Sequence, residues 1–258
     1  MKTLIANWKM NVGIRESVAL ARGTLLTLRG RKLIPELVIC PSTIALSEVR
    51  KVVARSSVSL GAQNVFWESK GPYTGEISTR MLQEVGVSYV ILGHSERRQE
   101  LHETDEMIHK KVLYVLSEQM TPILCIGESK QQREAGQTQE VIRAQLISAL
   151  SQVYVRGSER VLIAYEPVWA IGSGEASSVG EVIEIHQYIR SFLQELFPGV
   201  SSQQLPILYG GSVDGENAYG FLREEMIDGL LIGGASIKIN QFNDIVEAAG
   251  EVLEAQGT

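Results

Sequence analysis

The chain has 258 residues, 44% hydrophobic and 21% charged, which is enough apolar surface to bury a core without disulfide or metal staples. A net charge of −6 argues against a nucleic-acid partner, which rewards a strongly basic surface. The apolar stretch in Met1 to Asn7 is too short for a signal peptide, and no apolar run approaches the about 18 residues of a membrane span; a cytoplasmic protein without membrane contact is expected.

Short apolar runs recur along the chain at Thr3 to Ala6, Leu37 to Cys40, Val58 to Ala62, Tyr89 to Leu92, Ile123 to Ile126, Val161 to Tyr165, Leu205 to Tyr209 and Gly229 to Ile232. Each is four to five residues long and rich in Val, Ile, Leu or Tyr, as strands buried on both faces are. Between them Arg15 to Leu28, Asp105 to Gln119, Thr138 to Tyr154, Gly180 to Phe197 and Asn240 to Glu254 space apolar residues three or four apart, as amphipathic helices do. Eight strand-then-helix units in about 250 residues predict an α/β fold, a (β/α)8 barrel, with residues 1–258 as one domain. An open doubly wound sheet would carry a glycine fingerprint after its first strand, where this chain has Asn7-Trp8-Lys9-Met10-Asn11. Cys40 and Cys125, each closing an apolar run, read as buried thiols in a reducing compartment.

In a barrel, chemistry sits where strands end and the following loops begin. Past the first strand, Asn7 and Lys9 stand two apart and, on an extended chain, share a side. Lys9 is either a solvated lysine or a fixed charge aimed at an anion. Past the fourth strand, Ser95 is the predicted N-cap of a short helix, with His94 near its positive end, where imidazolium is disfavoured. A packed core histidine is the alternative. Past the sixth strand, Glu166 is a carboxylate directly after a buried run, which is costly unless paired or functional. Pro167 stiffens the backbone behind it, and the apolar stretch ending in Gly172-Ser173-Gly174 suits a lid. Gly210-Gly211-Ser212 and Gly233-Gly234 follow the seventh and eighth strands; either pair could be an ordinary turn, but together they match a phosphate site made of backbone N–H groups. Asp214 stands where a Gly-x-Ser-x-Gly elbow needs glycine, so Ser212 is no esterase nucleophile. The four histidines lack metal-site spacing.

These segments, with Gly61-Ala62-Gln63-Asn64-Val65, Tyr73-Thr74-Gly75-Glu76-Ile77-Ser78, Gly93-His94-Ser95-Glu96-Arg97-Arg98, Cys125-Ile126-Gly127-Glu128 and Ala164 to Gly172, resemble the triosephosphate isomerase family in order and spacing. The resemblance spans essentially the whole chain. It implies an isomerase of glycolysis and gluconeogenesis acting on a small phosphorylated triose without a cofactor. By similarity Glu166 is the catalytic base, His94 the uncharged electrophile, and Lys9 a further catalytic and binding group. Asn7, Gly172, Ser212, Gly233 and Gly234 would bind substrate, Glu96 would support the site, and Thr74 would contact the partner in a homodimer. The chain departs from the family at Gly174-Glu175, where a lysine usually follows the glycine, and in the bulky Phe66, Trp67 and Pro72 of the third loop. A different phosphate-binding barrel isomerase, or a non-catalytic barrel kept for interactions, are the competing expectations.

Overall fold

The computed structural model describes residues 2–170 and 177–257. Its eight strands are β1 (Thr3–Asn7), β2 (Glu36–Cys40), β3 (Ser59–Ala62), β4 (Tyr89–Leu92), β5 (Thr121–Ile126), β6 (Leu162–Tyr165), β7 (Ile207–Tyr209) and β8 (Gly229–Ile232). They close in chain order into one parallel barrel, with β8 paired back onto β1. Parallel neighbours need long crossovers. These carry helices α1 (Ile14–Thr27), α2 (Leu46–Val53), α3 (Thr79–Glu84), α4 (Ser95–Glu100), α5 (Asp105–Ser117), α6 (Lys130–Glu134), α7 (Thr138–Leu150), α8 (Val179–Leu196), α9 (Ala218–Leu222) and α10 (Ile239–Ala255). The predicted (β/α)8 barrel is the observed fold. No helix among the described residues is long and apolar enough to cross a membrane.

The apolar side chains form two clusters because strand residues alternate between the two faces of the sheet wall. Ile5, Val38, Cys40, Ile91, Ile123, Cys125, Leu162, Ala164, Leu208 and Leu231 fill the barrel interior. Leu4, Ala6, Ile39, Val90, Leu124 and Ile163 face the helices instead and join the larger outer core. Glycine serves where the wall is tightest: a Cβ on Gly229 would fall 1.9 Å from the carbonyl oxygen of Thr3. Both cysteines are buried free thiols.

The N-terminal end of the barrel is closed by an ionic cluster. Arg160 meets Glu36 through both guanidinium ends at 2.6 and 2.9 Å, while Tyr89 and Thr3 hydroxyls donate to the same carboxylate at 2.6 and 2.7 Å. Burial acts against the ionised form of Glu36 and would raise its pKa, but these donors outweigh it and hold the carboxyl below its usual range. The opposite end is open, and all eight strands deliver their following loops to it.

Candidate active site

A cavity of about 290 Å³ at the C-terminal mouth is lined by Asn7, Lys9, His94, Glu166, Ser212, Gly233 and Gly234, among others. Thus residues from β1, β4, β6, β7 and β8 converge on one space. Gly172 lies outside the described residues, as do Ile171 and Ser173 to Ala176, so of the predicted lid only the start, through Ala170, is described.

Glu166 follows β6 immediately and is buried to 2% exposure. Its backbone N–H donates to Ile126 at 2.7 Å, which fixes the turn against β5. That turn exists because residue 127 is glycine: a Cβ there would fall 1.7 Å from the Glu166 carbonyl oxygen. The side chain runs past Gly210, where a Cβ would come within 2.9 Å of its Cγ. One carboxylate oxygen, Oε2, accepts the backbone N–H of Ser95 at 3.0 Å. The other, Oε1, is 3.1 Å from Nε2 of His94 but lacks the alignment of a hydrogen bond, and it has no other partner among the described residues. A buried carboxylate oxygen without a hydrogen bond at a cavity wall keeps its acceptor capacity for whatever enters the cavity. Cys125 lies against the same carboxylate; burial, then the nearby charge, pushes its thiol well above the usual range, so it packs as a neutral group.

His94 is itself the N-cap of α4, in place of the predicted Ser95. The imidazole competes successfully for this position because its Nδ1 accepts the backbone N–H of Glu96 at 3.3 Å. Nδ1 must then carry a lone pair, so the ring proton of a neutral imidazole sits on Nε2, facing Glu166 and the cavity. Ser95 contributes its backbone N–H to Glu166 instead of a cap.

The extended-chain argument for Asn7 and Lys9 gives way to a turn. β1 ends at Asn7, and Lys9 has φ +51°, a left-handed conformation that costs about 1–3 kcal/mol when the residue is not glycine. Side chains hold it there: Asn7 Oδ1 accepts the Lys9 N–H at 3.1 Å, and Gln63 Nε2 donates to the carbonyls of Lys9 and Cys40, each at 2.9 Å. The ammonium lies 2.5 Å from Glu96 Oε1 and within 3.6 Å of where a Cβ on Gly233 would stand. Glycine at 233 therefore makes room for Lys9.

Beyond β8 the turn Gly234–Ile237 is tied down by Ser236, whose hydroxyl donates to the Gly233 and Asn7 carbonyls at 2.6 and 3.4 Å. Ser236 is buried whereas Gly234 faces open space, so the loop is fixed from below and its upper surface stays accessible. Ser212 stands half-buried beside it in the cavity wall. The wall also includes Asp214, Lys238 and Gln241, which the strand-end reading passed over because they stand several residues beyond their strands.

The start of the lid segment is anchored by Glu128, which is wholly buried. It accepts Tyr165 Oη at 3.2 Å and Trp169 Nε1 at 3.1 Å, while Arg133 stacks 4.6 Å above the Trp169 ring. A second cavity, of about 600 Å³, shares Asn7, Lys9 and His94 with the first and is also lined by Met10, Thr43, Gln63 and Leu101. Met10 is 96% exposed and Leu101 62%. Thr74 itself is exposed on the loop between β3 and α3, where Phe66 stacks on Trp67 at 4.1 Å and meets Tyr73 at a tilt, 4.6 Å between ring centres.

Residues 2–249 match the family model described as Triosephosphate isomerase. The chain belongs to the triosephosphate isomerase family. A triosephosphate isomerase from Caldanaerobacter subterraneus subsp. tengcongensis is 45% identical over 94% of this chain and 97% of its own length. Those from Alkaliphilus oremlandii and Chlorobaculum tepidum are also 45% identical, over 95% and 96% of this chain and 98% and 100% of theirs. Family membership thus extends across every strand that supplies the cavity, and across β5 and α6, which anchor Glu166 and Trp169 from outside it.

Proposed function

We propose that the chain interconverts dihydroxyacetone phosphate and D-glyceraldehyde 3-phosphate by proton transfer through an enediolate. The observation that carries this is the buried Oε1 of Glu166, without a hydrogen bond among the described residues, standing 3.1 Å from the Nε2 of His94 in one cavity. A proton next to a carbonyl is weakly acidic, so its removal needs a base and a donor for the oxygen that gains charge. Glu166 Oε1 takes the proton from one carbon and returns it to the other. His94 donates from Nε2 to the carbonyl oxygen and moves protons between the two substrate oxygens. Lys9 offsets the growing negative charge, and Glu96 keeps it in place while presenting its own N–H to His94.

Positioned general-base chemistry of this kind contributes about 10²- to 10⁴-fold, and each well-aimed donor to the oxyanion about 3 kcal/mol. The phosphate keeps its bonds. Backbone groups at Ser212, Gly233 and Gly234 receive it, with Gly172 joining by resemblance, and its binding energy orients the reacting end. Asn7 contributes by shaping the Lys9 turn.

The same reading treats residues 1–258 as one barrel domain working in the cytoplasm, in glycolysis and gluconeogenesis. It also pairs the chain with a second copy, whose Thr74 loop would cover the larger cavity and its exposed Met10 and Leu101. A coupled assay tests the activity: dihydroxyacetone phosphate should be turned over and a phosphoglycolate-type analogue should inhibit competitively. Absence of turnover in the folded protein would reject the assignment.

A further inference from the structure

The charges around the smaller cavity carry an inference that the resemblance did not supply. Its described lining includes two acidic residues, Glu166 and Asp214, and two basic ones, Lys9 and Lys238. Lys9 is engaged by Glu96 at 2.5 Å. Lys238 is exposed, and its ammonium has no hydrogen-bond or ionic partner among the described residues. Without it the lining would be net negative, inside a protein of net charge −6. That is an adverse field for a phosphate dianion.

Asp214 has its acceptor capacity partly turned away, since Oδ1 takes the backbone N–H groups of Glu216 and Asn217 at 3.0 Å each. Lys238 has its backbone fixed and its side chain unengaged. Its N–H donates to Ala235 at 3.2 Å, and its carbonyl accepts from Phe242, a buried residue, at 2.9 Å. The stem of this lysine is therefore rigidly placed one turn from the Gly233–Gly234 backbone. Gln241, on the first turn of α10, also lines the cavity and has a side-chain amide equally unengaged among the described residues.

We propose that Lys238 is a phosphate-recruiting residue, supplying the positive charge, without an ionic partner among the described residues, that makes this cavity prefer a dianionic triose over an uncharged one. The inference rests on the isomerase reading for its substrate. Its test separates the two claims by measuring binding as well as turnover. Lys238→Met and Lys238→Arg are compared with the unaltered protein in three measurements: the dissociation constant of inorganic phosphate, kcat and KM for glyceraldehyde 3-phosphate across ionic strength, and kcat/KM for unphosphorylated glyceraldehyde.

The expected result is that Lys238→Met weakens phosphate binding and raises KM about tenfold at low ionic strength, with kcat retained. The gap should narrow as salt exceeds about 0.1 M. Glyceraldehyde turnover should be unchanged, and Lys238→Arg should restore affinity. Unchanged phosphate affinity in Lys238→Met overturns the proposal, and so does an equal loss on glyceraldehyde, which would mark a merely structural role. If the unaltered protein fails to isomerise while Lys238→Met still loses phosphate, the isomerase reading falls and the role of Lys238 stands.

Discussion

Glu166 meets the cavity with one oxygen held by Ser95 and the other without a hydrogen bond among the described residues, and the proposed mechanism gives the two oxygens different work. Replacing it by glutamine keeps the shape and an acceptor for the Ser95 N–H but removes the basic oxygen. Glu166→Gln is expected to lower kcat at least 10²-fold with an unchanged melting temperature. Near-normal turnover would remove Glu166 as the base. At this scale the sequence identified residues better than it oriented them. A carboxylate after a buried run and a histidine before a short helix are visible as letters. That His94 would outcompete Ser95 for the cap depends on imidazole geometry, and that Lys9 would turn left-handed depends on Gln63, over fifty residues away.

Elements were legible to within a few residues wherever an apolar period ran long enough, as in α8 and α10, and in all eight strands. Short helices such as α3, α6 and α9 carry too few turns for a period to register. The contact between elements was less visible. Gly127 read as part of a motif, yet its physical role is to let the β6 turn close against β5. Gly127→Ala should push back the Glu166 backbone, costing about 3 kcal/mol of stability and at least tenfold in kcat. A variant with normal melting and turnover would show that the turn tolerates a side chain. On α8, His186 is buried with Nδ1 3.1 Å from the Met226 carbonyl and Nε2 without a hydrogen bond among the described residues. Burial, opposed by that carbonyl and aided by Arg190 and Lys2, pushes it down to about 4 from 6.5. The unfolded chain therefore takes up a proton near pH 6.5 that the folded chain refuses until about pH 4. Stability should be intact above pH 6.5 and fall by about 3 kcal/mol as pH drops through that window. Urea midpoints at pH 7.5 and 5 should show less difference in His186→Gln; an identical pH slope would assign the loss to other groups.

For the whole molecule, the barrel followed from the alternation of runs and periods, because parallel strands buried on both faces leave few other closures. The second-copy contact rests on resemblance, and single-chain periodicity has nothing to say about a surface completed by another molecule. Sedimentation and activity measured together on dilution should fall in parallel, and Thr74→Arg should yield an inactive monomer; a fully active monomer would reject the pairing. The cluster of Glu36, Arg160, Tyr89 and Thr3 sets a different boundary. It corks one end of the barrel, with the interior apolar layer above it, so the vessel fills and drains only at its rim. Wear at the cork should then loosen the container without spoiling its contents: Arg160→Met should cost about 2 kcal/mol by stranding the Glu36 charge, yet leave kcat where it was. A drop in turnover with unchanged stability would mean the far end of the barrel is wired to the chemistry after all.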